Sequence, residues 1–238
     1  VIYPLDSQLE PWITRDLLSQ IDADEGWQLS EMNRCAEDPW YWAVNYVYTI
    51  RKDEFTSDAK PEVLRFPPKK HLQHFLHLCF TEAFLAGDKS RQMTLSWCAM
   101  LYYDHISLFG EHEEIIVQTK KEVDASALVG KAAFMLQSLQ PWMRPWTGLA
   151  PYSEGKGGKL VIAERHNTIR GLPGGAGAGD QVRSANPSRY FLDEGGFVDE
   201  FEDCRTNAEA CCQDIKIVST ANAGQFSEFI HDRLGMVA

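Results

Sequence analysis

Residues 189–194 read Arg-Tyr-Phe-Leu-Asp-Glu: a short apolar run that ends on two acids. A continuous apolar run this short, with polar flanks, is the pattern of a strand buried on both faces. In open α/β sheets, ligands sit outside the carboxyl ends of the strands. Two carboxylates at such an end can divide the work of phosphoanhydride hydrolysis. Asp193 would hold Mg²⁺ through water, and Glu194 would polarise the attacking water. The plainer alternative is a strand-end turn with two solvated acids.

Well upstream, Glu82–Ala86 predicts a strand and Leu95 to about Leu108 a helix. Between them lies Lys89-Ser90-Arg91-Gln92-Met93-Thr94-Leu95-Ser96. On the phosphate-loop frame GxxxxGK[ST], Thr94 takes the second Gly position, Leu95 the Lys position and Ser96 the Ser/Thr position. As a pattern the match fails, yet the physics can still work. The helix N-terminus supplies N–H groups and a partial positive charge. Lys89, at the first loop position, can fold its ammonium back onto phosphates, Arg91 adds a second cation, and Ser96 can ligate Mg²⁺. A basic surface loop capped by Ser90 is the alternative for this stretch by itself.

Downstream, Ile215–Val218 predicts another buried strand, followed by Ser219-Thr220-Ala221-Asn222. A polar strand end one strand after the acids can lie against a γ-phosphate and sense it, making Ser219, Thr220 and Asn222 candidates. The remaining elements alternate. Helices are predicted over His71–Phe80, Lys121–Leu139 and Glu200–Cys211, with a last one beginning at Glu228–Leu234. Strands are predicted at Glu114–Gln118 and Lys159–Ala163, the latter with His166–Arg170 as hairpin partner. Gly171–Gly179 is too glycine-rich for a packed element and reads as a mobile loop; no strand-to-helix turn opens it, which argues against a dinucleotide fingerprint. Alternating strands and helices predict an α/β fold with a largely parallel sheet. The three polar clusters then face one site.

Composition sets the outer bounds. The chain has 238 residues, 44% apolar and 24% charged, as in an ordinary globular domain. No apolar run is long enough to span a bilayer, and no signal-peptide pattern opens the chain. Net charge is −11, of which residues 1–60 carry −7. A whole-chain basic footprint for nucleic acid is absent, which leaves room only for local DNA contacts. Residues 1–60 read as an acidic helical lead-in. The dense aromatics Trp40, Tyr41, Trp42, Tyr46 and Tyr48 anchor it to the domain, and Pro61, Pro67 and Pro68 mark a boundary at 60/61. The six cysteines form no CxxC pair, so reduced thiols and a cytosolic setting fit. His71, His74 and His77 recur every three residues, not with the i, i+4 spacing of a metal pair.

Together, KSRQMTLS, RYFLDEGGF and IVSTANAG resemble three motifs of the large terminase subunit of tailed bacteriophages, the motor that packs DNA into capsids. The resemblance covers about residues 60–230. It implies a P-loop (ASCE, RecA-like) NTPase fold over 61–238 that uses ATP and Mg²⁺, with Lys89 or Arg91 as the phosphate cation and Lys89 preferred. In that family a Gln before the loop reads adenine, which here is Gln73. An Arg before the acidic motif aids hydrolysis, from a neighbouring subunit where it acts in trans; here it is Arg183, with Arg170 second. Arg183, in a Gly-flanked segment ten residues before Asp193, is expected on a mobile surface near the acids. The implied partners are double-stranded DNA, the portal protein, the small terminase subunit and further copies in a ring, with no membrane, in the host cytoplasm. The family's nuclease domain needs more residues than follow Thr220, so a motor domain alone is expected. This chain departs from the usual loop in lacking both the second Gly and the late Lys. Other readings are a helicase-like NTPase and a non-catalytic interaction module with a decayed nucleotide site.

Overall fold

The computed structural model describes residues 11–51, 61–90, 93–144, 158–220 and 224–234. Three helices open it: α1 (Arg15–Asp22), α2 (Glu25–Glu37) and α3 (Pro39–Tyr46). Each begins on a side-chain cap, since Thr14, Asp24 and Asp38 accept from the N–H groups of Leu17, Trp27 and Tyr41. Such caps satisfy donors that a helix leaves orphaned. β1 (Tyr48–Arg51) and β2 (Glu62–Arg65) then form an antiparallel ribbon, with Tyr48 opposite Arg65. The compositional boundary at 60/61 therefore falls between paired strands. The aromatic helix α3 is buried along its whole length, and Trp40 and Trp42 join the core of the following helices.

The main sheet has six strands in the order β3-β8-β7-β4-β6-β5. They are β3 (Phe84–Asp88), β4 (Glu114–Thr119), β5 (Lys159–Ile162), β6 (Asn167–Pro173), β7 (Arg189–Asp193) and β8 (Asp214–Ser219). All neighbours are parallel except β5, which runs antiparallel to β6. The helices are α4 (Lys70–Thr81), α5 (Leu95–Phe109), α6 (Glu122–Gln137), α7 (Ala178–Ala185), α8 (Phe201–Cys211) and α9 (Gly224–Leu234). Two apolar clusters sandwich the sheet. Ile115, Val117, Phe191 and Val218 face the cluster containing α4, α5 and α6. Ile116, Tyr190, Leu192, Ile215 and Ile217 face the one containing α7, α8 and α9. Alternate residues thus bury on opposite faces, which is why Ile115–Val117 and Tyr190–Leu192 read as unbroken apolar runs.

Gly171–Gly179 differs from the sequence expectation of a mobile loop. Gly171–Pro173 belong to β6, in register with Val117–Thr119 of β4. The Gly174 N–H donates to the Thr119 carbonyl at 2.7 Å, and α7 starts at Ala178. The segment is a strand-to-helix turn. Its glycines serve close approach: a Cβ on Gly179 would lie 2.9 Å from the Asp203 Cβ, so glycine is what lets α7 lie tightly on α8. The predicted strand at Glu82–Ala86 also shifts, to Phe84–Asp88.

α5 is buried nearly all round, as befits a central helix. Within it Asp104 is fully buried, and neither carboxylate oxygen has a hydrogen-bond partner among the described residues. Burial pushes its carboxyl well above the ordinary range. The native state therefore holds a proton that the unfolded chain releases, and stability falls as pH rises above the ordinary carboxylate value, about 4. Asp104→Asn removes that penalty. It should raise the melting temperature at pH 7 by several degrees, equivalent to ~1 kcal/mol or more. The gain should vanish below about pH 4, and a melting series across pH checks both ends.

Candidate nucleotide site

The carboxyl ends of β3, β8 and β7 lie side by side because these strands are neighbours in the sheet. At the end of β3 the Lys89 N–H donates to the Ser219 carbonyl of β8 at 2.8 Å, fixing where the side chain starts. The Lys89 side chain is only 6% exposed. Its Nζ donates to Asp193 Oδ1 at 2.5 Å and to Ser96 Oγ at 3.2 Å, and lies 3.4 Å from Glu194 Oε1. Ser96 Oγ in turn donates to Asp193 Oδ2 at 2.6 Å. Residues from two distant motifs thus converge on one cluster.

Glu194 follows β7 in the left-handed region, φ 60°. That turn aims its carboxylate at β8, where Oε2 accepts from the Thr220 N–H at 3.0 Å and the Thr220 hydroxyl at 2.6 Å. Burial opposes the charge on Glu194. The two Thr220 hydrogen bonds and the Lys89 ammonium outweigh it and hold the carboxyl below its ordinary value, so Glu194 is ionised at neutral pH. Ser219 completes the junction, its Oγ accepting from the Gly196 N–H at 3.1 Å.

The loop explains how a failed pattern match can keep the geometry. Thr94, at the second Gly position of the frame, has φ 64°. A left-handed backbone costs glycine nothing but strains a β-branched residue by ~1–3 kcal/mol. Thr94 precedes α5 without a side-chain cap bond and Ser90 is not the cap, so among the described residues no side chain is seen to cap the first N–H groups of α5. Leu95, at the usual lysine position, is buried in the core. Thr94→Gly should relieve the strain and raise the melting temperature by about 2–4 °C, corresponding to ~1 kcal/mol. Calorimetry of the two proteins decides it.

Hard oxygen donors suit Mg²⁺, and Ser96 Oγ with the Asp193 carboxylate form such a set beside the Glu194 carboxylate. The residues present therefore fit that ion.

Other predicted residues are placed less centrally. Gln73 lies on α4, buried; its neighbour His71 donates from Nε2 to the Met93 carbonyl at 3.2 Å, tying α4 to the loop. Ser90 is exposed, with its N–H against Met93 Sδ at 3.3 Å. Arg91, Gln92 and Asn222 lie outside the described residues. Arg183 is not in a glycine-flanked mobile segment near the acids. It sits in the last turn of α7, exposed and paired with Asp180 at 2.8 Å. α7 leads from the carboxyl end of β6 back to the amino end of β7, so it carries Arg183 away from Glu194 of its own chain. Arg170 lies in β6, 3.9 Å from Glu114. A cavity of about 420 Å³ opens between β3 and α9, lined by Phe84, Ala86, Gly87, Asp88, Phe229, Ile230 and Arg233. None of the residues marked by the motifs lines it.

Sequence reading missed Lys131. It lies in mid-α6, outside every motif, and its Nζ stands 5.8 Å from the ring centre of Trp97, the residue after Ser96. No linear spacing marks it, because the link runs through the packing of α5 on α6.

The chain is similar in fold to the large terminase of bacteriophage HK97, with a TM-score of 0.55 and 17% identity over 75% of this chain. It spans 38% of that protein's length. Looser likenesses run to the large terminase ATPase domain of Thermus phage P74-26 (TM-score 0.48, 16% identity, 67% of this chain and 68% of that one). Another runs to the large terminase of the thermophilic bacteriophage D6E (0.47, 12%, 62% and 38%). No family model and no curated protein sequence matches. At such identity the likeness is one of fold: a mostly parallel sheet flanked by helices. Among the described residues no helix is long and apolar enough to cross a membrane.

Proposed function

We propose that this chain is the ATP-hydrolysing motor domain of a viral DNA-packaging terminase, coupling Mg-ATP hydrolysis to movement of double-stranded DNA into a procapsid. The observation that supports hydrolysis is the convergence of Lys89, Ser96, Asp193 and Glu194 at adjacent strand ends. Packaging is supported by the three motifs and by the fold likeness to the HK97 protein.

In this reading the phosphates lie against the N–H groups of α5. Lys89 leaves Asp193 for the phosphates, which frees Asp193 and Ser96 to hold Mg²⁺. Mg²⁺ held by these two residues would supply neutralisation of the phosphate charge. Glu194, held ionised and oriented by Thr220, takes up a hydrogen bond from the attacking water and accepts its proton. Loss of the γ-phosphate would be felt at Thr220 and Ser219, which connect the acid to β8. Gln73 would read adenine from α4. Phosphate release from Mg-ATP by the purified chain tests the reading. Measurable turnover is expected, and a chain that neither binds nor hydrolyses Mg-ATP refutes it.

The partners proposed with this function are the portal protein, the small terminase subunit, DNA and further copies of the chain in a ring. An exposed Arg183, directed away from its own Glu194, suits a neighbour's site. An arginine supplied in trans can speed phosphoryl transfer by ~10³-fold or more. Mixing Arg183→Ala with Glu194→Gln should then restore activity that neither has alone, because some interfaces pair an intact acid with an intact arginine. Mixtures that stay inactive at every ratio, where wild type assembles, count against a finger in trans.

A further inference from the structure

Lys131 is half-buried on α6 and has no carboxylate within 4.0 Å among the described residues, whereas the buried lysines Lys89 and Lys216 each contact an aspartate. α6 starts at the carboxyl end of β4, and helical side chains lean back towards the helix N-terminus. The Lys131 stem therefore runs back towards the edge where Lys89, Ser96 and Asp193 meet. Its ammonium reaches the face of Trp97, whose ring packs edge-on against Phe134. The charged groups acting on it are Asp193, Lys89 and Asp124. Asp193 is already engaged by Lys89 and Ser96, and Lys89 is shared between Asp193 and Glu194. Burial lowers the affinity of Lys131 for its proton, and the neighbouring acids Asp193 and Asp124 offset this only in part.

A half-buried cation with no contacting carboxylate is costly to the free protein. A polyanion entering beside it removes that cost. We propose that Lys131 is a further phosphate-binding cation of this site, held against Trp97 and brought into direct ionic contact only when the nucleotide's phosphates arrive. The inference rests on the nucleotide reading of the site. It adds a residue from outside the loop and the strand ends, which would make α6 part of the binding site.

A role in phosphate binding and a role in holding the fold differ in what Lys131→Met does to the empty protein. Methionine keeps an apolar stem against Trp97 and removes the charge. The full chain and its Lys131→Met and Lys131→Arg variants would be titrated with Mg²⁺ and a non-hydrolysable ATP analogue by calorimetry, and melted without nucleotide. The expected result is a ~10-fold or larger loss of affinity in Lys131→Met, the size of one charge-assisted hydrogen bond. The melting temperature of its nucleotide-free form should be unchanged or higher, and Lys131→Arg should recover most of the affinity. Affinity within threefold of wild type overturns the proposal, as does a loss accompanied by a lower melting temperature. If wild type itself binds no analogue, the site reading falls and takes this inference with it. If wild type binds and Lys131→Met matches it, only the role of Lys131 falls.

Discussion

Glu194→Gln should retain Mg-ATP and lose hydrolysis by ~10²-fold or more. The amide is nearly isosteric and can still accept from Thr220 through its carbonyl oxygen, which in the wild type is Oε2, bonded to the Thr220 N–H and hydroxyl. The turn after β7 is therefore kept. What the amide lacks is the negative charge and a basic oxygen to receive the proton of water. Because Thr220 and Lys89 hold Glu194 ionised below the ordinary carboxylate range, wild-type turnover should not fall as pH drops from 8 towards 6 through any change at Glu194. Turnover by Glu194→Gln within threefold of wild type would remove Glu194 from the chemistry.

Lys89→Ala should be the most damaging single change in the site. The pair it breaks is nearly buried, with side chains 6% and 8% exposed. Removing one partner of a buried ion pair leaves an uncompensated charge and costs ~3–5 kcal/mol. At ~2–4 °C per kcal/mol for a chain of this size, the melting temperature should fall by roughly 6–20 °C. Affinity for Mg-ATP should fall as well, since a cation directed at the phosphates is gone. The two effects separate in the double variant Lys89→Ala/Asp193→Asn. Neutralising the orphaned acid should restore much of the stability and none of the binding. Leu95→Ala provides the contrast: it should cost core packing, since Leu95 is buried at the usual lysine position, and leave nucleotide chemistry nearly intact. Lys89→Ala binding Mg-ATP as wild type does would refute the variant-loop reading.

Much of the fold was legible because β4, β7 and β8 are covered on both faces. Burial on both sides favours apolar residues at successive positions, so Ile115–Val117 and Tyr190–Leu192 stand out as runs, and Ile215–Val218 as one broken only by the buried Lys216, which pairs with Asp214. The ribbon β1–β2 was not legible: its strands have four residues each, and Tyr48 adjoins an aromatic helix. Gly171–Gly179 misled because glycine signals freedom in isolation. Here it marks strand pairing to β4 and a helix contact too close for a Cβ. In the site, Lys89, Ser96, Asp193, Glu194 and Thr220 could be named from their places at strand and helix ends, and the structure brings those five together. Thr94 hid its left-handed turn, since no propensity places a β-branched residue there. Arg183 looked close to the acids because sequence separation is short. A helix between parallel strands turns that short separation into distance.

The most direct test is a crystal structure of the chain grown with Mg²⁺ and a non-hydrolysable ATP analogue. The account predicts the β- and γ-phosphates between Lys89 Nζ and the first N–H groups of α5. Mg²⁺ should lie beside Ser96 and Asp193, with Glu194 facing the γ-phosphate across one water. Density for the analogue elsewhere, as in the β3–α9 cavity, with Lys89 still bonded to Asp193, would contradict it.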